Sequence, residues 1–455
     1  MSNRTPARIA VIDIGKTNAK VVVVDAASAR ELGLRKTPNT VRRTAPYPHF
    51  DTEALWQFIL SALKDLAVEP GYDAISITTH GASAALLDAQ GNLALPVLEY
   101  EHLYPDEINR SYDQLRPDFG QTFSPCLAGG LNLGAQFHYQ KTAYPKEFAR
   151  VATIVTYPQY WAFRLTGVAA NETTSLGCHT DLWLPFDKTY SPLVDRLDIR
   201  DKLAPIRSAF DVLGDVRPEI ATAIGLTKPV SVQCGIHDSN ASLLPHLIGF
   251  GAPCTVVSTG TWVICFAAGG KPENLDPMRD TLVNVDAYGN PVPSARFMGG
   301  REWELLTAGL PAITESEAAD ALNDVIAKRI MHRPGLVNGS GPFPTGEGRW
   351  TRVPETPAAT HAAASLYEAL MTATCLDLIA ADGPIIIEGP FASNGIYTAA
   401  LASLTGRSVY ISQAITGTAI GAALLTGTSP VSELAPVPSN GLVLNDYATH
   451  WRALN

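Results

Sequence analysis

Ile9-Ala10-Val11-Ile12 and Val21-Val22-Val23-Val24 are apolar, largely β-branched runs on either side of Asp13-Ile14-Gly15-Lys16-Thr17-Asn18-Ala19-Lys20. Side chains branched at Cβ suit a pleated strand, and a polar Gly-containing stretch between two such runs predicts a hairpin with a donor-rich turn. The pattern returns about half a chain later. Thr255-Val256-Val257 and Val263-Ile264-Cys265-Phe266 bracket Ser258-Thr259-Gly260-Thr261-Trp262. One strand–polar turn–strand unit opening each half predicts a duplicated α/β architecture. A further strand, Ile385-Ile386-Ile387-Glu388, runs into Gly389-Pro390-Phe391-Ala392-Ser393-Asn394.

Between these landmarks, residues 52–66 place Leu55, Ile59, Leu63 and Leu66 on one helical stripe, with Asp51 or Thr52 as N-cap. Ile75-Ser76-Ile77-Thr78 reads as a strand ending at His80-Gly81, and a Gln-Gly-Asn turn joins Ala85-Leu86-Leu87-Asp88 to Leu93-Ala94-Leu95. Residues 158–165 read as a helix stopped by Thr166-Gly167, and residues 334–357, dense in Gly and Pro, read as a surface loop. The last expected helix, about residues 418–425, is rich in Gly and Ala, which permits close backbone packing. The division into lobes is expected at residues 1–243 and 244–455.

With 455 residues the chain is too long for one ordinary core. A hydrophobic share of 46% against 17% charged residues describes a well-packed soluble enzyme. The net charge of −10, with no basic cluster beyond Arg42-Arg43, argues against nucleic acid and anionic membrane surfaces as partners. Cys126, Cys178, Cys234, Cys254, Cys265 and Cys375 lack metal-site spacing and are expected to be reduced core thiols. No signal-peptide core or membrane-length apolar run is present, so the cytoplasm is the expected compartment.

Phosphoryl transfer requires donors around the phosphates, a carboxylate for the metal and a base beside the acceptor oxygen. The hairpin turns offer backbone N–H groups at Gly15 and Gly260 and hydroxyls on Thr17, Ser258, Thr259 and Thr261. Asp13, at the end of the first strand, could hold Mg²⁺ through water. Gly15-Lys16-Thr17 does not complete a P-loop. Ala10 stands where that motif needs Gly, and a strand rather than a helix follows. In Gly235-Ile236-His237-Asp238-Ser239-Asn240-Ala241, an apolar strand leads to a carboxylate, which spacing alone allows as a general base or as a helix N-cap.

Together these segments resemble the FGGY carbohydrate kinases over nearly the whole chain. Residues 13–20 are similar to that family's first phosphate motif, Ser258-Thr-Gly-Thr-Trp262 to the second, and Glu388-Gly-Pro-Phe-Ala-Ser-Asn394 to its adenosine motif. Tyr157-Pro-Gln-Tyr-Trp-Ala-Phe-Arg-Leu-Thr-Gly167 with Glu172-Thr-Thr-Ser175 resembles the segment that precedes the family's catalytic Gly-x-x-Asp-x-x-Ala stretch, matched here by residues 235–241. The resemblance implies an actin-like, ribonuclease H-type fold in each of two lobes, with ATP and Mg²⁺ in a cleft between them and a small sugar as acceptor. It implies Asp238 as catalytic base and Asp13 as the metal's carboxylate. Gly15, Lys16, Thr17, Asn18, Lys20, Gly260, Thr261, Gly389 and Asn394 are implied on the nucleotide side.

His237-Asp238 and Gly260-Thr261-Trp262 resemble the L-rhamnulose and L-fuculose kinases, which implies substrate contacts from His80, Gly81, His237 and Asp238, and from Asn132 and Gln136. The expected reaction is transfer to a terminal ketose hydroxyl; another sugar, a polyol or the aldose itself is the alternative, and a homodimer is left open. A regulator of the same fold would need a DNA-binding module, for which residues 1–8 are expected to leave no room, and a chaperone would need a peptide-binding domain, of which none is apparent. Three departures stand out. Lys16 occupies a position usually small or hydroxylated, Pro390 replaces a Gly, and Glu99-Tyr100-Glu101 replaces the Trp-containing acceptor segment.

Overall fold

The computed structural model describes residues 6–412, 417–428, 434–438 and 441–455. The chain forms two compact α/β units, each built on its own sheet. The first comprises residues 1–248, 283–291 and 416–431, the second 249–282, 292–415 and 432–455.

In the first unit the predicted hairpin forms from Arg8–Ile14 and Asn18–Asp25, antiparallel, with Asp13 opposite Lys20. Glu31–Pro38 extends it on one side. On the other side Arg8–Ile14 pairs in parallel with Ala74–Thr79, which pairs in parallel with Ser231–Gln233. The second unit repeats this order. Cys254–Thr259 pairs antiparallel with Val263–Ala268, which pairs antiparallel with Pro291–Phe297. Ile385–Glu388 and Val409–Ser412 follow in parallel on the opposite side of Cys254–Thr259. Each hairpin's first strand is therefore central, and its parallel neighbour ends in a motif: His80-Gly81 in one unit, Gly389-Pro390 in the other.

Central strands alternate their side chains between two covered faces, which explains the unbroken apolar runs. Ala10, Ile12 and Ile14 pack in one cluster with Leu55, Ile59 and Leu63 of the Thr52–Val68 helix and Trp161 and Leu165 of the Tyr157–Thr166 helix. Ile9 and Val11 face Ala241, Leu244, Ala419 and Ala422, from the helices Asp238–Phe250 and Gly417–Leu424. Asp51 caps the Thr52–Val68 helix by accepting from Ala54 N. The predicted Gly/Ala helix packs as closely as its composition allows: a Cβ at Gly421 would overlap the Ala241 carbonyl oxygen.

Two expectations need correction. The chain does not end its helices there, because Asn445–Ala453 forms another, with Tyr447 and Trp451 buried. Cys126 is exposed while the other five cysteines are buried, and none of the six forms a disulfide. Among the described residues no helix is long and apolar enough to cross a membrane.

Candidate active site

The sequence Gly235-Ile236-His237-Asp238 turns a strand into a helix. Gly235 adopts φ +92°, and a Cβ there would stand 2.9 Å from the Ile77 carbonyl oxygen, so the backbone passes close to the neighbouring strand only because the residue is glycine. Ile236–His237 then pairs with Thr78 and Thr79, and Asp238 is the first residue of the helix Asp238–Phe250. Here Asp238 stands at the helix start, as an N-cap reading would also have it, yet within the helix its carboxylate accepts from the adjacent Ser239, whose N–H donates at 2.6 Å. Loss of hydration raises the carboxyl to about 6, with the Ser239 hydrogen bonds opposing the rise.

His237 lies beside it, with Nε2 3.1 Å from Asp238 Oδ1. Its Nδ1 faces the Asn240 amide at 3.1 Å, and its Nε2 contacts Cys178 Sγ at 3.7 Å. Burial lowers this imidazole to about 4, leaving it neutral near pH 7. The strand carrying it is tied down from behind. His237 N donates to Thr174 Oγ1 at 3.0 Å, and Thr174 in turn donates from both N and Oγ1 to the buried Glu172 carboxylate. The Glu172–Thr174 segment therefore supports the strand that holds Asp238. Gly81 packs on the His237 ring, where a Cβ would come within 2.8 Å of Nε2.

His80 closes another side. Its Nδ1 faces the Gly81 carbonyl oxygen at 2.9 Å, so Nδ1 carries the proton. Nε2 is then a lone-pair acceptor, buried and without a hydrogen-bond partner among the described residues. The ring packs against Phe50, Tyr100 and Tyr157 with centroids 4.9, 5.4 and 5.0 Å away, and burial lowers its pKa to about 4.

Asp13 is buried at the hairpin base, 3.3 Å from Lys20 Nζ. Desolvation raises its carboxyl to about 6; Lys20 opposes this, and the charge of Asp238 adds to it. The turn beyond it closes with Gly15 N donating to Asn18 O at 2.9 Å, and Asn39 ties down Gly15 O and Thr17 O. Asn18 Nδ2 donates to Thr17 Oγ1. Lys16 does not extend from this turn into solvent. It folds onto Glu99 and Glu101, over the Tyr100 ring.

Asn132 directs its side chain to backbone: it accepts from Leu127 N and donates to Pro125 O and His179 O. Gln136 donates to Ala82 O and Gly130 O, leaving Oε1 as its remaining acceptor. In the second unit, Gly260, Thr261 and Asn394 line one cavity of about 510 Å³ with Trp303, His361 and Pro390. Gly389 sits behind it at φ +82°, where a Cβ would overlap Thr259 O. Asn394 caps the Gly395–Thr405 helix by accepting from Tyr397 N. Trp303, Glu315 and His361 are lining residues that the sequence reading missed. Only the Gly299-Gly300 pair that begins the helix of Trp303 hinted at close approach there.

The description "FGGY family of carbohydrate kinases, N-terminal domain" matches residues 8–245, and "Carbohydrate kinase FGGY, C-terminal domain" matches residues 251–434. The chain belongs to the FGGY family of carbohydrate kinases. A solved carbohydrate kinase from Novosphingobium aromaticivorans is 37% identical and superposes with TM-score 0.91, covering 99% of each chain. A xylulose kinase from Rhodospirillum rubrum shares the fold at TM-score 0.80 and 18% identity, covering 98% of each chain. Among curated proteins, an L-fuculokinase of Salmonella typhi is 25% identical over 276 residues, 58% of this chain and 57% of that protein. The match thus spans little more than half of that relative's length. The two sheets are those of the actin-like fold that FGGY kinases share.

Proposed function

We propose that this FGGY protein is an ATP-dependent carbohydrate kinase, in which Asp238 takes the proton of the acceptor hydroxyl as the γ-phosphoryl group is transferred. The observation that carries the reading is the carboxyl of Asp238, raised to about 6 at the end of a strand, with the neutral His237 ring 3.1 Å away. A carboxylate of that basicity is ionised at pH 7 and takes up a proton more readily than a solvated aspartate.

In this reading residues 1–243 form the lobe that holds the sugar and the first phosphate hairpin, and residues 244–455 the lobe that holds the second hairpin and the adenosine; the extents of the two family matches support that division. Gly15, Thr17 and Asn18 on one hairpin and Gly260 and Thr261 on the other offer N–H and hydroxyl donors to phosphate oxygens, with Lys20 adding charge. The cavity beside Gly389 and Asn394 takes the nucleoside, with Trp303 as its aromatic wall. Asp13 suits Mg²⁺ as a lone carboxylate, because that ion keeps most of its waters and binds mainly through phosphates. Mg²⁺ would neutralise the charge that develops on the transferring group. On the acceptor side, His80 Nε2 and Gln136 Oε1 accept hydroxyl hydrogens, while Asn132 holds the 125–132 loop in place. A ketose of the L-fuculose or L-rhamnulose type, phosphorylated at its terminal hydroxyl, fits the His237-Asp238 pairing and the likeness to an L-fuculokinase. The cytoplasm supplies the nucleotide.

Asp238→Asn keeps the shape and removes the base. It should lower kcat by about 10²- to 10⁴-fold while leaving ATP affinity within a few-fold, as measured by coupled ADP release and calorimetry. Near-normal turnover in this variant would remove Asp238 from the role.

A further inference from the structure

We propose that Lys16, Glu99 and Tyr100 select the charge of the acceptor, admitting uncharged sugars and polyols and turning away those that carry a carboxylate. This deepens the kinase reading and rests on its placement of the acceptor beside His80 and Asp238.

Lys16 has three N–H donors. Its ammonium is bound by the Glu99 carboxylate, lies 3.3 Å from Glu101 Oε2 and sits 4.1 Å above the Tyr100 ring centroid, with Phe50 at 5.7 Å. Glu99 is 3% exposed and its Oε1 also accepts from Glu101 N at 3.0 Å. A carboxylate this buried depends on its cation, so a ligand that drew Lys16 away would strand an unpaired charge. The ammonium is thereby committed to the protein.

Among the described residues named here, each cation near the ammonium is already paired with a carboxylate. Glu99, Glu101 and Asp238 outnumber Lys16, Lys20 is engaged by Asp13, and His80 and His237 are both held neutral by burial. Tyr100 and Asp238 belong to one electrostatic neighbourhood: after burial, the charges of Glu101, Asp238 and Glu99 push the phenol further up. His80 supplies an independent sign of the ligand. Its Nε2 is a buried acceptor without a partner among the described residues, on a ring packed edge-on against Tyr100. A lone pair there calls for a hydroxyl hydrogen and repels a carboxylate oxygen. Rejection of one class by a repulsive element is how specificity is commonly obtained when contacts alone do not discriminate.

The test measures binding by calorimetry without nucleotide, and ADP release with Mg-ATP, for L-fuculose, L-rhamnulose, D-xylulose, glycerol, D-xylonate and D-gluconate. The wild-type chain should favour its best uncharged ligand over either aldonate by at least about 100-fold. Glu99→Gln frees the ammonium and should narrow that ratio at least tenfold, and Lys16→Met combined with Glu99→Gln should restore it. Should Glu99→Gln fail to fold, Glu101→Gln, at a largely exposed side chain, should narrow the ratio about threefold. An aldonate bound within tenfold of the best uncharged ligand by the wild type overturns the proposal. So does an unchanged ratio in the folded variants, or binding of neither class. Selective binding of uncharged ligands without any ADP release would leave charge selection standing and sink the kinase reading instead.

Discussion

At the scale of single residues, the site depends on how water is removed from three ionisable groups. Burial pushes Asp238 up to about 6 and both His80 and His237 down to about 4, so near pH 7 Asp238 is an anion beside a neutral His237, and His80 is neutral as well. The base must be deprotonated to act, and its pKa is raised. Activity is therefore full above that value and is lost as pH falls through about 6, rather than near the 3.8 of an ordinary aspartate. A kcat–pH profile at saturating acceptor should show this acid limb; a limb near 4 would mean the carboxyl is solvated in the working enzyme. The residue types of this cluster were legible in the sequence as Gly-x-His-Asp. The pairing of Lys16 with Glu99 was not, because the partners lie far apart along the chain and only the hairpin's position beside the 98–102 segment joins them.

At the scale of elements, close approach decides what each helix tolerates. Gly421 lies against the Ala241 carbonyl, so Gly421→Ala should destabilise the protein by about 1–3 kcal/mol in urea unfolding. Gly249→Ala, where an added methyl meets nothing within 4 Å, should be close to neutral. Equal effects from the two would show that the helix can shift to make room. The Pro357–Leu378 helix presents a different stress. Glu368 is fully buried with neither carboxyl oxygen hydrogen-bonded among the described residues, and Glu302, which accepts from Tyr367 OH at 2.7 Å, adds its charge to the burial that raises Glu368. An acid whose folded pKa is raised binds its proton more tightly in the native state. Stability therefore falls as pH climbs from the unfolded value near 4.5 toward the folded one, by about 1.4 kcal/mol for every tenfold change in proton affinity. Glu368→Gln removes that titration, so its melting temperature should exceed the wild type's by a margin that grows between pH 5 and 8. A constant margin would show that the carboxyl is not what titrates. Helices with a clear stripe and stop signal, such as Thr52–Val68 and Tyr157–Thr166, were readable from their residues. The Asn445–Ala453 helix was not, for its buried face is little more than Tyr447 and Trp451.

At the scale of the whole molecule, two sheets repeat one strand order, with the hairpin's first strand central in each. Binding of nucleotide to the native state alone should add about 2.7 kcal/mol of stability at a concentration 100 times its Kd. Trp303→Ala, which strips the aromatic wall that Trp303 shares with His361 and Phe391, should abolish most of that gain in a denaturant titration with and without Mg-ATP. A full gain in the variant would place the nucleoside elsewhere. By itself the sequence determined the two hairpins, their donor-rich turns and the strand that leads to Asp238, because strand propensity, turn chemistry and apolar runs are local properties. Tertiary structure alone decided that the Gly417–Leu424 helix covers the first unit's sheet, that His80 Nε2 is left without a partner, and that Lys16 turns to Glu99. Those outcomes depend on which distant groups share a buried space, and desolvation then sets their charge.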